Sequence, residues 1–246
     1  MLSGMGFRVW GAAVVVAGMC TACAGASAAE HPARVLRDAP PPAAQAHAPA
    51  VWHVPPRPSG QGTYLMAKLR GPLHTPFGRV AAKTPFGEPL WVPVLARQGT
   101  RGTALVPVGS RSRVVHIDLR SLPLRWSRTR VVVDLAQGRL RVVRGRRVVG
   151  SFPIGHGTPS TPTPVGRFSV VDRVRFPAGS PYAPFALALS AHQTHLAPTW
   201  AGGDTIAIHP GPMGPVSNGC IHAGLPAIAL LRRVARLGTL VTVRAA

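Results

Sequence analysis

Near its C-terminus the chain reads PVSNGCIHAG, Pro215 to Gly224, and eleven residues before the cysteine of that stretch the run TIAIH ends in His209. A thiol and an imidazole are the two parts of a cysteine nucleophile. The thiolate is the attacking form and a free thiol has a pKa of about 8.5, so a neighbouring base must take the proton. A strand end holds a histidine fixed, and a loop bounded by proline and glycine can fold back to present Cys220 to it. Gly219 removes a side chain next to the thiol, which gives a substrate carbonyl room to approach. The successive N–H groups of Asn218, Gly219 and Cys220 can face a developing oxyanion. Ser217 can bond within the loop or to substrate.

Other chemistries compete for the same residues. A lone cysteine is most often a small buried hydrophobe, but Cys220 sits among Asn218, Gly219 and His222 rather than in an apolar strand. His192, His195, His209, His222 and Cys220 together would be a candidate zinc set. HQTH, however, is not the helical H-E-x-x-H pattern and lies in strand-and-loop sequence. In papain-like proteases the cysteine precedes the histidine, and their local signature is absent. The reading is a cysteine nucleophile with no metal.

The elements that must position these residues are mostly strands. RVVVDLAQGRLRVVRGRRVVGSFPIG, from Arg130, reads as strand, turn at Gln137-Gly138, strand, turn at Gly145, strand, with Val131, Val133 and Leu135 on one face. A strand over Arg167 to Val174 follows a Pro/Thr/Gly loop, and FALALSA, TIAIHP and TLVTVRA are further strands. One helix is expected, Pro226 to Arg236, with Ile228, Leu231 and Ala235 as its apolar stripe. Pro226 suits its first turn, arginines suit its C-terminal end, and Gly238 suits its stop. Upstream, TYLMAKL, PLWVPVLAR, TALVPVG and RVVHIDL are short strands between turn signals, which suggests a small β module over 61–125 with no catalytic constellation. The fold class is mainly β: a larger β domain over 126–246 with one covering helix, preceded by the small module.

The chain holds 28 Lys and Arg against 7 Asp and Glu, for a net charge of +21. The basic residues are scattered and no nucleic-acid motif is present, so nucleic acid is not the expected partner. Anionic cell-wall polymers suit an exported basic protein better. Export is read from Arg8 followed by the apolar run Val9 to Met19, shorter than the ~20 residues of a membrane span. Residues 1–29 form the expected leader, cleaved after Ala28 or Ala29. Cys23, preceded by small residues, is the candidate lipid-anchor cysteine in the alternative processing. Pro- and Ala-rich residues 30–60 read as a linker. Neither route leaves Cys220 a structural partner within the mature domain.

At the chemistry-bearing residues the sequence resembles the L,D-transpeptidase (YkuD-type) catalytic domain of bacterial cell-wall enzymes. The carriers are His209 and, after a short loop, Ser217-Asn218-Gly219-Cys220-Ile221. TPVGRF, Thr163 to Phe168, resembles the family's T-P-x-G-x-F turn, and LGTLVTV resembles its closing strand. SPYAPFALALSAH resembles the segment before the catalytic histidine, with Tyr182 in a substrate-facing place. The upstream module resembles, more weakly, the SH3-like domains found before such domains. The resemblance implies a β-sandwich fold. It implies attack by Cys220 on a peptidoglycan tetrapeptide stem, with His209 as base and an oxyanion hole at Asn218, Gly219 and Cys220. Ser217, His222 and Tyr182 would be substrate contacts, and no cofactor is implied. The outcome would be 3→3 cross-links, in cell-wall biogenesis and cell shape, at the cell wall or in a periplasm-like space. With water as acceptor the same site is an L,D-carboxypeptidase, and with a protein amine it anchors protein to the wall. A non-catalytic basic wall-binding protein is the reading from another class. Three departures stand out: His222 where the family often has Arg or Asn, Pro210 where it usually has Gly after the histidine, and a His-to-Cys loop shorter than in many members.

Overall fold

Short runs of Val, Leu, Ile and Thr broken by glycine turns favour strands over helices, and strands dominate the computed structural model, which describes residues 54–59 and 61–245. The expected leader with Cys23, and the linker before residue 54, lie outside the described residues. Among the described residues no helix is long and apolar enough to cross a membrane.

The first sheet is antiparallel, with strands β1 (Tyr64–Lys68), β4 (Trp91–Gln98), β5 (Arg101–Val108), β6 (Arg111–Asp118) and β7 (Leu124–Ser127) in the order β6-β5-β4-β1-β7. A small hairpin, β2 (Leu73–Thr75) and β3 (Gly78–Val80), projects from it. The sequence reading found the four longer strands. It missed β2, β3 and β7, whose three or four residues are too few to show a period.

The second sheet begins with β8 (Thr129–Asp134), β9 (Arg139–Arg144) and β10 (Arg147–Gly157), followed by β11 (Gly166–Arg175) and β12 (Phe185–His192). It continues with β13 (Thr205–Pro210), β14 (Gly214–Ser217), β15 (Ile221–Ala223) and β16 (Leu240–Arg244). Asp134 shapes the first turn: its Oδ1 accepts the Gln137 N–H at 3.0 Å, and Gly138 takes φ +56°. The long β10 pairs β9 over its first half and β15 and β14 over its second, so the sheet closes on itself. Its walls face one another across a single core, with Val131, Val133 and Val241 on one side and Leu187, Ile208 and Ile221 on the other. Helix α1 (Leu225–Val234) lays Ala227, Ile228 and Leu231 into that core. This is the sandwich with one covering helix.

The helix ends sooner than Gly238 suggests. Ala235 is its C-cap, with extended backbone. Gly238, at φ +77°, instead serves the turn into β16, where its N–H donates to the Val170 carbonyl at 2.7 Å. A Cβ there would stand 2.9 Å from the Trp91 carbonyl of the first sheet, so the two sheets meet at a position only glycine can fill.

One irregularity couples the two sheets. The β11–β12 register shifts between Val170 and Asp172, and a bulge of this kind re-aims a side chain. Val170 enters the sandwich core, while Val171 joins Ala188 in the core of the first sheet. Polar contacts complete the seam. The Asp172 carboxylate accepts from the Thr84 hydroxyl, and burial pushes its pKa up. Ser112 Oγ lies 2.8 Å from Ser190 Oγ. Tyr64 spans the junction most directly: its hydroxyl donates to the Thr129 carbonyl at 2.6 Å and accepts the Leu240 N–H at 3.0 Å. Tyr64→Phe strands the Leu240 N–H, at a cost of about 1–3 kcal/mol if left unsatisfied, and leaves the Thr129 carbonyl only the long 3.4 Å bond from the Ser127 hydroxyl. Urea unfolding should show a lower midpoint at unchanged slope. An unaltered midpoint would mean that water replaces the hydroxyl.

Candidate active site

Two parallel strands build the site. β13 and β15 pair with Ile208 opposite Ile221 and His209 opposite His222. Side chains alternate along a strand, and Ile206, Ile208, Ile221 and Ala223 all point into the sandwich core. Ala207, His209 and His222 therefore share the opposite face. Cys220, one residue before β15, reaches that face too: its Sγ accepts the Ala207 N–H at 3.4 Å. A one-residue slip would turn the isoleucines to water, forfeiting roughly 1.5–3 kcal/mol for each. The core thus sets the register that puts thiol and imidazole on one face of the sheet.

His209 is buried, and its Nδ1 lies 2.8 Å from the carbonyl of Pro210. A carbonyl only accepts, so Nδ1 carries the hydrogen and Nε2 keeps its lone pair. The carbonyl belongs to the proline that stands where the resembled family usually has glycine; proline loses an N–H but not its acceptor. Two rings meet the imidazole edge-on, Tyr182 at 4.8 Å and His222 at 4.7 Å between centroids. Burial lowers the pKa of His209 from its ordinary 6.5 to about 4; the Pro210 and Pro181 carbonyls oppose the shift and nearby His222 adds to it. Half-buried Cys220 moves the other way, burial pushing its thiol up against the Ala207 bond. Both shifts favour a neutral thiol beside a neutral imidazole.

The loop bearing Cys220 is held by side chains rather than by a strand. Thr163 Oγ1 donates to the Gly219 carbonyl at 2.9 Å and accepts the Gly157 N–H at the same distance. Thr161 Oγ1 donates to the Ser217 carbonyl at 3.1 Å. Gln193 Nε2 donates to the carbonyls of Pro162 at 3.0 Å and Asn218 at 3.3 Å. Thr163 and Gln193 were visible in the sequence, within TPVGRF and HQTH, but nothing there assigned them this work. For Gln193 the signal is a polar residue directly after the buried strand β12.

Three expectations change here. Ser217 is buried, its hydroxyl donating to the Cys220 carbonyl at 2.6 Å and accepting the Gly219 N–H at 3.1 Å. It staples the loop and has no donor left for a substrate. The same bond takes the Gly219 amide away from the oxyanion set, which narrows to Asn218 and Cys220. Gly219 is a glycine for a reason besides access: it sits at φ +101°, and a Cβ would lie 2.4 Å from Gln193 Nε2.

The other candidates take separate places. His222 is half-buried, its Nδ1 donating to the Pro212 carbonyl at 3.0 Å. Its ring fits because Gly211 has no side chain; a Cβ there would stand 2.6 Å from the imidazole. Tyr182 is 37% exposed and packs on Phe176 at 5.1 Å as well as on His209, so it has a face open to the site. His192 pairs with Asp204 at 2.9 Å, and the His195 amide bonds Gln193. Among the described residues no three His, Cys, Asp or Glu side chains gather to hold a metal ion.

Residues 128–243 match the family model described as YkuD, L,D-transpeptidase catalytic domain. No curated protein matches the chain. Among solved structures, L,D-transpeptidase 1 of Mycobacterium tuberculosis aligns at 20% identity and TM-score 0.38, over 63% of this chain and 76% of that one. An L,D-transpeptidase from Mycobacterium smegmatis aligns at 19% identity and TM-score 0.37, over 61% and 69%. One from Xylanimonas cellulosilytica aligns at 23% and 0.35, over 48% and 61%. Residues 128–243 of this chain belong to the YkuD family of L,D-transpeptidase catalytic domains.

Proposed function

We propose that the protein forms 3→3 cross-links in peptidoglycan through an acyl-enzyme on Cys220, outside the cytoplasmic membrane. The observation that carries this reading is the β13–β15 register, which sets Cys220, His209 and His222 on one face with the His209 Nδ1–H committed to Pro210. That tautomer leaves Nε2 to accept a proton.

The chemistry follows from those groups. Nε2 of His209 takes the Cys220 proton as Sγ attacks the carbonyl carbon of the third stem residue. The resulting oxyanion is met by the amides of Asn218 and Cys220. As it collapses, the C–N bond breaks, His209 returns the proton to the departing D-alanine amine, and a thioester remains. The side-chain amine of a neighbouring stem then attacks the thioester and loses a proton to His209. An amide forms and the thiol is restored. Since the resting pair is neutral, deprotonation belongs to the attack itself, and His209 is a base poised by burial. Tyr182, edge-on to His209, and His222, beside it, contact the stem, with His222 in the place where the family often carries arginine.

Purified protein incubated with disaccharide-tetrapeptide should give cross-linked dimers and a mass adduct on Cys220. Cys220→Ala should abolish both, and His209→Ala should slow adduct formation about 10²- to 10⁴-fold. Unchanged dimers from Cys220→Ala would sink the proposal. Loss of D-alanine without dimers would assign water as the acceptor.

The lowered His209 pKa sets a pH dependence. The imidazole must be neutral to accept the proton, so acylation persists above its folded pKa and is lost as pH falls through about 4. A carbapenem is a suitable acylating probe, its strained ring standing in for the stem amide. Its rate of addition to Cys220 should be level between pH 7 and pH 5.5, fall by half near pH 4, and climb in the alkaline range as the thiol ionises. A half-loss near pH 6.5 would contradict the buried, uncharged histidine.

A further inference from the structure

Away from Cys220, a cavity of about 370 Å³ opens where the two sheets and α1 meet, and arginines dominate its lining: Arg125, Arg128, Arg144, Arg233 and Arg236. They come from separate places in the chain: β7 and the turn after it, the end of β9, and the last turn of α1 with the residues beyond it. Arg233 and Arg236 alone would need no explanation, because a helix C-terminus favours cations. That reasoning does not reach Arg125, Arg128 or Arg144. No acidic residue lines the cavity, and none of the five is in any of the ion pairs among the described residues.

Arg125 is held in place. Its guanidinium stacks on Trp91 at 3.7 Å and its Nη2 donates to the Leu237 carbonyl at 2.6 Å, while its Nε is buried without a partner. Burial lowers its pKa, and repulsion from Arg236 adds to the effect. The other four are exposed. So many unpaired cations on one concave surface repel one another in the free protein, and that cost is relieved when an anion enters. A guanidinium fork matches the oxygens of a phosphate. One carboxylate would neutralise only a fraction of the charge, whereas a polymer with a phosphate in every repeat brings several charges into reach. Ser127 and Thr129, with hydroxyls, and Trp126 also line the cavity, which suits a polyol or sugar between phosphates.

We infer that this arginine-lined cavity is a binding site for a phosphate-bearing polyanion, distinct from the acyl-transfer site. It would tether the sandwich domain to a phosphodiester polymer of the envelope. Its recognition chemistry is independent of Cys220, so a failure of the transpeptidase reading leaves it standing, and the reverse.

The test uses the full-length chain and linear polyphosphate, read by calorimetry and by tryptophan fluorescence at about 0.15 M salt. Saturable binding is expected. The double variant Arg144→Gln/Arg233→Gln should weaken it at least tenfold and lower the slope of log affinity against log salt by roughly one to two. Arg79→Gln/Arg175→Gln, which removes the same charge from exposed sites elsewhere, should change affinity less than threefold. Inorganic phosphate should compete at millimolar concentration. Absence of binding, or an equal loss in both double variants, overturns the proposal. So does polyglutamate binding as tightly with the same dependence on Arg144 and Arg233. Binding to phosphatidylglycerol vesicles without binding to polyphosphate overturns it too, by giving the cavity to a membrane surface.

Discussion

The parallel pairing of β13 with β15 is the constraint on which the site rests. Four apolar residues of those strands face the sandwich core, and the two-residue period of a strand then leaves no choice for their neighbours. His209 and His222 emerge on the far face side by side, and Cys220 meets β13 at the Ala207 amide. The geometry of the candidate site is thus a by-product of burying isoleucine. Its precision comes from the least negotiable part of the fold, which is how a cysteine on a loop can be held as firmly as a residue on a strand.

The same far face does a second job further along the sheet. Where β11 and β12 lie, it is covered by the first sheet, through Val171, Ala188 and the contacts around Asp172 and Ser190. Where β13 and β15 lie, it carries the site. Val170 and Val171 divide between the two cores by ordinary alternation, and the bulge at Val170–Asp172 lets Asp172 face the first sheet as well, where it meets Thr84. The first sheet therefore supports β12, the strand next to β13, while Tyr64 ties it to β8 and β16. Gly238, pressed against the Trp91 carbonyl, is the covalently simplest sign of that closeness.

Much of this was readable in the residues. Alternation of Val and Leu over 130–143, the run TIAIH and the stripe Ile228, Leu231, Ala235 are long enough for their periods to show. Turn chemistry showed at Gly138 and Gly145, both at positive φ. Cys220 and His209 stand out as candidates because their types are rare and their setting polar. What was not legible was local in sequence but determined at a distance. Ser217 looked available because its partners, the Gly219 amide and the Cys220 carbonyl, are identified only once the loop is folded. Gly219 looked like an opening, while its side-chain position is filled by Gln193 from the end of β12. Strands β14 and β15 give no period, being four and three residues long; β14 owes its conformation to β10, and β15 to β10 and β13 on either side.

The neutral resting state of Cys220 carries a consequence for durability. Peroxides and oxidised thiols attack or are attacked by the thiolate, and a lone thiolate with no resolving cysteine nearby runs on to irreversible acids. Outside the cytoplasm, where the proposed function puts the protein, no reducing pool repairs that damage. On that reading a thiol kept protonated by burial, against the pull of the Ala207 amide, exposes its reactive form for a small part of its life. The raised pKa that looks like a handicap for the proposed nucleophile would then be what lets a single cysteine last in an oxidising space.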